Sequence, residues 1–224
     1  MISATKIQRL GIRLFTKFEV KFKEFVMLQD IHDAAHDINH IIRVVTSAKQ
    51  LCEKENASME VVLPAAWLHD CISFPKNHPD NKRASSLAAD KALEFLGSIA
   101  YPAEFFEDIH HAIAAHSYSA NIEAKTIEAK IVQDADRLDG LGAIGVSRCM
   151  LVAGKLGNQL YQQQDPFCQS RTPDSKVAAV DHFYEKLFKT AKTMKTKSGL
   201  VEAQKRVLFM QQFLTQLSTE IGYE

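Results

Sequence analysis

Apolar residues recur at intervals of three and four through almost the whole chain, the period of amphipathic helices, and two-residue alternation is scarce. The spacing predicts a helix from about Ala34 to Glu55, with Ile38, Ile41, Ile42, Val45, Ala48 and Leu51 as its apolar stripe. Met59 to Ile72 is the next, with Pro64 accommodated near its first turn or as a kink. SFPKNHPDNKR, with two prolines among polar neighbours, reads as a loop. A helix from about Ala84 to Leu96 follows, with Gly97 as its stop. Pro102 opens another through Phe105, Phe106, Ile109, Ile113 and Ala115, and Ile122 to about Leu138 forms one more. The glycine-punctuated LGAIGVSRCMLVAGKLG precedes a long polar stretch, NQLYQQQDPFCQSRTPDSK, which reads as a lid or a flexible surface excursion. Val177 to Met194 and Gly199 to Ile221 close the chain as two long helices. The expected fold class is all-α. Its expected parts are an N-terminal amphipathic helix over 1–24, a helical core over 25–155, and a loop with C-terminal helices packing on the core over 156–224.

Composition narrows the function classes. The 224 residues suit one domain or one domain with an appendage, and 46% hydrophobic content supports a sizeable core. With 27 basic and 27 acidic residues the net charge is zero, so no nucleic acid polymer is expected as a partner. MISATKIQRLGIRLFTKFEVKFKEF is too charged for a signal peptide and reads as a docking helix rather than a membrane helix. No run reaches membrane-span length, and a cytoplasmic location is expected. Cys52, Cys71, Cys149 and Cys168 show no C-x-x-C spacing, and Cys71 reads as a small buried residue rather than part of a site.

The pair His69-Asp70 changes this picture, because it interrupts the apolar run Val61, Val62, Leu63, Ala65, Ala66, Trp67, Leu68. Burying an imidazole beside a carboxylate costs several kcal/mol unless something pairs with them. A divalent cation offsets that cost, since neutral imidazole nitrogen and carboxylate oxygen are standard first-row ligands. His40 lies in DAAHDINHIIRVV and Asp136 in EAKIVQDADRLDGLGAIGVSR, two other helical stretches. His32, His36 and His40 fall four apart on one helical face, with His32 and His36 read as partly exposed and Asp37 as a carboxylate that could orient a ligand imidazole.

The order of His40, then His69-Asp70, then Asp136, with 28 residues between the two histidines, resembles the HD superfamily of metal-dependent phosphohydrolases. The likeness covers roughly Phe25 to Arg148 and implies an HD-domain helical bundle. It implies that His40, His69, Asp70 and Asp136 close one metal site. Asp134 and Asp139 compete with Asp136 for the last place, and the alanine and arginine flanks favour Asp136. A two-His, two-Asp set suits Mn, Fe, Co, Ni or Zn better than an all-oxygen set would. The resemblance favours Mn(II), with Mg also admitted. Of the histidines in DIHHAIAAHSYS, the resemblance points to His116 as a substrate contact, ahead of His110 and His111. Phosphoryl chemistry needs positive charge beyond the metal. Arg43, Arg137 and Lys76 are the candidates for it, with Asn77, His78, Lys82 and Arg83 near Lys76. Some HD phosphohydrolases place an acidic residue a few positions after the pair; here Ile72, Ser73 and Phe74 stand there, which leaves Asp80 as the candidate general base or the metal itself as activator of water.

HDINHIIRVV and DADRLDGLGAIGVSR look like the small stand-alone bacterial HD proteins. Relatives of that kind include nucleotide pyrophosphohydrolases that convert (d)NTPs to (d)NMP and pyrophosphate, which sets the first substrate expectation. A nucleotide monophosphatase comes second and a cyclic or alarmone phosphodiesterase third. The contrasting class is a non-hydrolytic sensor that binds metal and nucleotide and signals through the C-terminal helices, which are also candidates for a homodimer interface. Intact ligand positions weigh against that sensor.

Overall fold

The computed structural model describes residues 17–29, 38–74 and 78–223. The regular structure among them is helical; one isolated bridge joins Gln159 to Ala178. The expected all-α class holds. None of the described helices is long and apolar enough to cross a membrane. The chain divides into two compact units, with the division after Gln133.

In the first unit, helix α1 spans 17–27 and docks through its aromatic face. Phe25 stacks on Phe95 at 3.9 Å between ring centroids, and Phe18 meets the edge of Tyr101 at 4.8 Å. Its Glu19 accepts from Lys49 Nζ at 2.6 Å and from Trp67 Nε1 at 3.1 Å. Of the N-terminal helix expected over 1–24, residues 1–16 lie outside the described residues. Helix α2 (Ile38–Glu55) buries His40, Ile41, Val44, Val45, Ala48 and Leu51 along one stripe. Helix α3 (Met59–Leu68) is buried from Val61 to Leu68. It ends four residues earlier than the predicted Ile72, and His69-Asp70 form the turn that follows.

Pro64 lies inside α3 rather than in its first turn. Proline has no N–H to give the carbonyl four residues back, here that of Glu60. The Tyr101 hydroxyl donates to that oxygen at 2.7 Å and restores the missing bond. A 3₁₀ turn (Pro79–Arg83) shortens the predicted loop and leads into helix α4 (Ala84–Ser98). The stop is not Gly97, which remains helical. Ala100 takes the left-handed conformation at φ 55°, with Tyr101 N–H bonded to Leu96 O at 3.0 Å. A second 3₁₀ turn (Ala103–Phe105) opens helix α5 (Phe106–Ala114). Helices α2, α3, α4 and α5 pack on one another around the core.

Helix α6 (Ile127–Asp139) begins later than the predicted Ile122, because residues 118–121 form a turn and Thr126 Oγ1 receives the Ala129 N–H at 3.1 Å. The division between the units falls within this one unbroken helix. In the second unit, helix α7 (Gly142–Leu156) packs against helix α10 (Lys197–Glu220). The helix predicted over Val177 to Met194 is instead three pieces: α8 (Ala179–His182), a π-helical turn (Phe183–Leu187) and α9 (Phe188–Ala191).

The polar stretch after α7 is tied down rather than loose. Buried Asp165 receives the N–H groups of Gln169, Ser170 and Arg171 at 2.9, 2.8 and 3.2 Å. Fully buried Asp181 receives Arg171 Nη2 at 2.7 Å, Asp174 N–H at 2.7 Å and Gln162 Nε2 at 3.2 Å.

Candidate metal centre

Three histidines of the first unit converge on one carboxylate. His40 comes from the buried stripe of α2, His69 from the end of α3 and His116 from just past α5. All three are buried, at 2%, 0% and 6% exposure. The Nε2 atoms of His40 and His69 stand 3.7 and 3.5 Å from Asp70 Oδ2, and that of His116 stands 3.4 Å from Asp70 Oδ1. His69 lies between the other two rings, with centroids 5.6 Å from His40 and 4.9 Å from His116.

The local fold sets the tautomers of two of these rings. The last carbonyls of a helix lack intrahelical partners. His69 Nδ1 pairs with Ala66 O at 2.9 Å, and His116 Nδ1 pairs with Ile113 O at 2.7 Å. A carbonyl only accepts, so Nδ1 carries the proton in both rings and donates it. In the neutral form each Nε2 then turns a lone pair toward Asp70. The carboxylate and these nitrogens are all electron-rich, and the C-terminal ends of α3 and α5 add negative dipole charge. Such a group requires positive charge, either a cation or protons on the rings. Burial works to raise the Asp70 carboxyl, and His69, His116 and His40 overcome it and hold it well below the usual carboxylate range.

The donor set fits a first-row cation. The ligand atoms of His69, Asp70 and His116 all lie within 4.8 Å of one another. Donors bound to one such ion at roughly 2.0–2.2 Å stand about 3–3.5 Å apart, close to the nitrogen–oxygen separations found here. His116 thus occupies a ligand-like position, where the sequence suggested a substrate contact. The available signal was that both His69 and His116 directly follow an apolar helical run, VVLPAAWL and AIAA.

The other candidates are placed as follows. Asp136 is half-buried on α6, three residues beyond Gln133, whose side-chain amide donates to Ala115 O at 2.8 Å. Its two competitors are committed elsewhere: Asp139 receives Arg148 Nη1 at 2.6 Å, and Asp134 receives the Lys195 and Thr196 N–H groups at 2.8 Å each. Arg43 is half-buried one turn beyond His40 on α2. Arg137 Nη1 is bound to Thr193, to its carbonyl at 2.8 Å and its hydroxyl at 3.0 Å. Asp80 sits on the 3₁₀ turn and pairs with Arg83 at 3.4 Å. His110 pairs with Asp90 at 3.0 Å, and His111 receives the Lys125 N–H at 3.0 Å. Cys71 is buried, with its thiol directed to Ala88 O at 3.4 Å and its pKa pushed up to about 12 by burial. His32, His36, Asp37, Lys76 and Asn77 lie outside the described residues.

Comparison with known proteins identifies the scaffold. The HD domain family matches residues 37–141. The chain is 33% identical over 192 residues to the Bacillus subtilis protein YpgQ, covering 84% of this chain and 85% of YpgQ. A crystal structure of an HD-superfamily hydrolase from Bacillus thuringiensis superposes with a TM-score of 0.73 at 31% identity, covering 93% of this chain and 99% of that one. The crystal structure of YpgQ in complex with ADP superposes with a TM-score of 0.67 at 30% identity, covering 92% and 95%. An imidazole–carboxylate cluster on a helical frame, with relatives matched along nearly their whole length, places this chain in the HD superfamily.

Proposed function

We propose that this HD-superfamily protein is a divalent-metal-dependent nucleotide phosphohydrolase that converts a (d)NTP to (d)NMP and pyrophosphate. The observation that carries the reading is the convergence of three buried imidazoles on Asp70. Nucleotide as the substrate class is supported by the relative YpgQ, which has been crystallised with ADP.

His40, His69, Asp70 and Asp136 are proposed as the ligands, with Mn(II) as the ion. Asp136 is supported by helical geometry. It shares a face with Gln133 three residues earlier, and Gln133 is anchored at Ala115, the neighbour of His116. A bound cation would supply charge for a phosphate oxygen and a lowered pKa for water. His69 holds its proton at Nδ1, so its Nε2 needs no tautomer change to receive an ion, and His116, held in the same tautomer, is the proposed substrate contact. Arg43 and Lys76 are the proposed phosphate partners, and Arg137 joins them once its bonds to Thr193 are released. Asp80, paired with Arg83, is the proposed acceptor of the proton released from water. Water oxygen bonds to the α-phosphorus as the bond to the bridging oxygen breaks, and pyrophosphate leaves. The four free thiols fit the reducing cytoplasm proposed as its location.

Phosphorus NMR of dATP with chelator-stripped protein and Mn(II), beside His69→Ala, tests the reading. Pyrophosphate that appears only with metal and intact His69 is the expected result. Orthophosphate would keep the hydrolase but move the scissile bond, turnover of cyclic substrates alone would make it a diesterase, and tight Mn(II) and nucleotide binding without turnover the sensor.

A further inference from the structure

Asp134 is fully buried two residues before the proposed ligand Asp136, and the nucleotide hydrolase reading gives it no role. Its carboxylate gathers the start of α10. Oδ1 receives the Lys195 N–H at 2.8 Å, and Oδ2 receives both the Thr196 N–H and the Thr196 hydroxyl at 2.8 Å. The Thr196 hydroxyl oxygen in turn accepts the Gly199 N–H at 2.9 Å, capping α10. A Cβ at Gly199 would press on Asp134 Oδ2 and Thr196 Oγ1, so only glycine lets the carboxylate reach so far into the turn. Two further side chains, both arginines, tie the same side of α6 to the same region. Arg137 Nη1 binds Thr193, and Arg206 Nη1 donates to Leu138 O at 2.6 Å.

Residues 134, 137 and 138 are spaced three and four apart and therefore share one side of α6. Asp136 is two residues from Asp134, about 200° around a helix of 3.6 residues per turn. Anchoring one side of the helix fixes the direction in which the opposite side points. We propose that Asp134 is a positioning residue: held by the Lys195–Gly199 turn, it sets the rotation of α6 and so the aim of Asp136 at the metal. The inference rests on the proposed ligand role of Asp136.

The test is Mn(II) titration followed by electron paramagnetic resonance on the full chain, for wild type, Asp134→Asn, Gly199→Ala, Thr196→Ser, His69→Ala and the surface control Thr215→Ala. Asn keeps the shape of Asp134 but loses one acceptor, whereas Gly199→Ala displaces the carboxylate from the α10 side without altering α6. Both are expected to weaken Mn(II) affinity by about 10–100-fold, as loss of a group that orients a ligand does. Both should also change the zero-field splitting of the bound ion. Thr196→Ser, which keeps the hydroxyl, and Thr215→Ala should bind like wild type. Far-UV circular dichroism restricts the reading to folded protein, and if Asp134→Asn does not fold, Gly199→Ala decides. Wild-type affinity and spectrum in the folded variants, with binding abolished in His69→Ala, would overturn the positioning role alone. No Mn(II) binding by wild type, or full binding by His69→Ala, would overturn the site and this inference together.

Discussion

Asp70 in the first unit, 14% exposed, and fully buried Asp181 in the second are both carboxylates held below the usual carboxylate range, but by partners of different kinds. For Asp181, burial works to raise the carboxyl, and the permanently charged Arg171 with the Asp174 N–H overcomes it. Guanidinium and amide donors do not change with pH in the range a cell experiences, so the Asp181 group is complete in itself. Asp70 is surrounded by imidazoles, which serve either as donors when protonated or as metal ligands when neutral. A buried carboxylate is therefore uninformative alone, and the chemistry of its neighbours decides whether it builds structure or binds something. By that criterion Asp70 marks a site and Asp181 marks a fold.

The largest effect should come from the first region. Removing the proposed ligand in His69→Ala should forfeit several kcal/mol of transition-state stabilisation, so the proposed dATP turnover should fall by about 10³-fold. Near-normal turnover would break the comparison at once. The second region should fail differently. Arg171→Ala leaves Asp181 buried without its counter-ion, and urea unfolding should register a loss of about 2–3 kcal/mol, below the full buried-pair value because Arg171 is 22% exposed. Mn(II) affinity of the protein still folded should be unchanged.

Acid separates the two regions further. Asp165, with N–H groups from Ser170 and Gln169 on its oxygens, has its pKa lowered to about 2, and Asp181 is shifted the same way. Carboxyls depressed in the folded state stabilise it above their unfolded pKa, near 4, and lose that contribution as pH falls through the folded value. Stability of the folded chain traced by denaturation should thus begin to erode below about pH 4. Mn(II) affinity should fall earlier in the acid titration, where imidazole protons compete with the ion. Coincident loss of both would mean that the Asp70 cluster does not work through neutral rings. The smallest effect belongs to a single neutral bond: Tyr101→Phe removes the donor to Glu60 O and should cost about 1 kcal/mol in thermal unfolding.

The helical class was legible because the 3.6-residue period runs through nearly all of the chain, and His69-Asp70 was legible because a polar pair in an apolar run has to be accounted for. What stayed hidden depends on partners distant in sequence. Gly97 looked like the end of α4, yet Ala100 takes the left-handed position, with Tyr101 directly after it closing the cap through its N–H. The stretch around Asp165 read as a lid or an excursion, since nothing in its composition reveals that Arg171 and Asp174 meet a buried Asp181. His116 read as a substrate contact from the family resemblance, and the bond from its Nδ1 to Ile113, which directs the ring at Asp70, becomes visible only at the folded helix end. The flanks of Asp136 favoured it over Asp134 and Asp139, but the bonds that engage those two, from Thr196 and Arg148, come from residues distant in sequence or on the next helix.

The bond from Tyr101 to Glu60 also bears on the order of folding. Pro64 leaves α3 with a gap that no residue of the helix can close, and the donor that closes it lies 41 residues further along the chain. A peptide of α3 alone would carry this defect. The turn bearing His69 and Asp70 gains a fully bonded support only after α4 has formed and delivered Tyr101. The frame of the proposed metal site is therefore complete only in chains that have brought α4 and Tyr101 against α3.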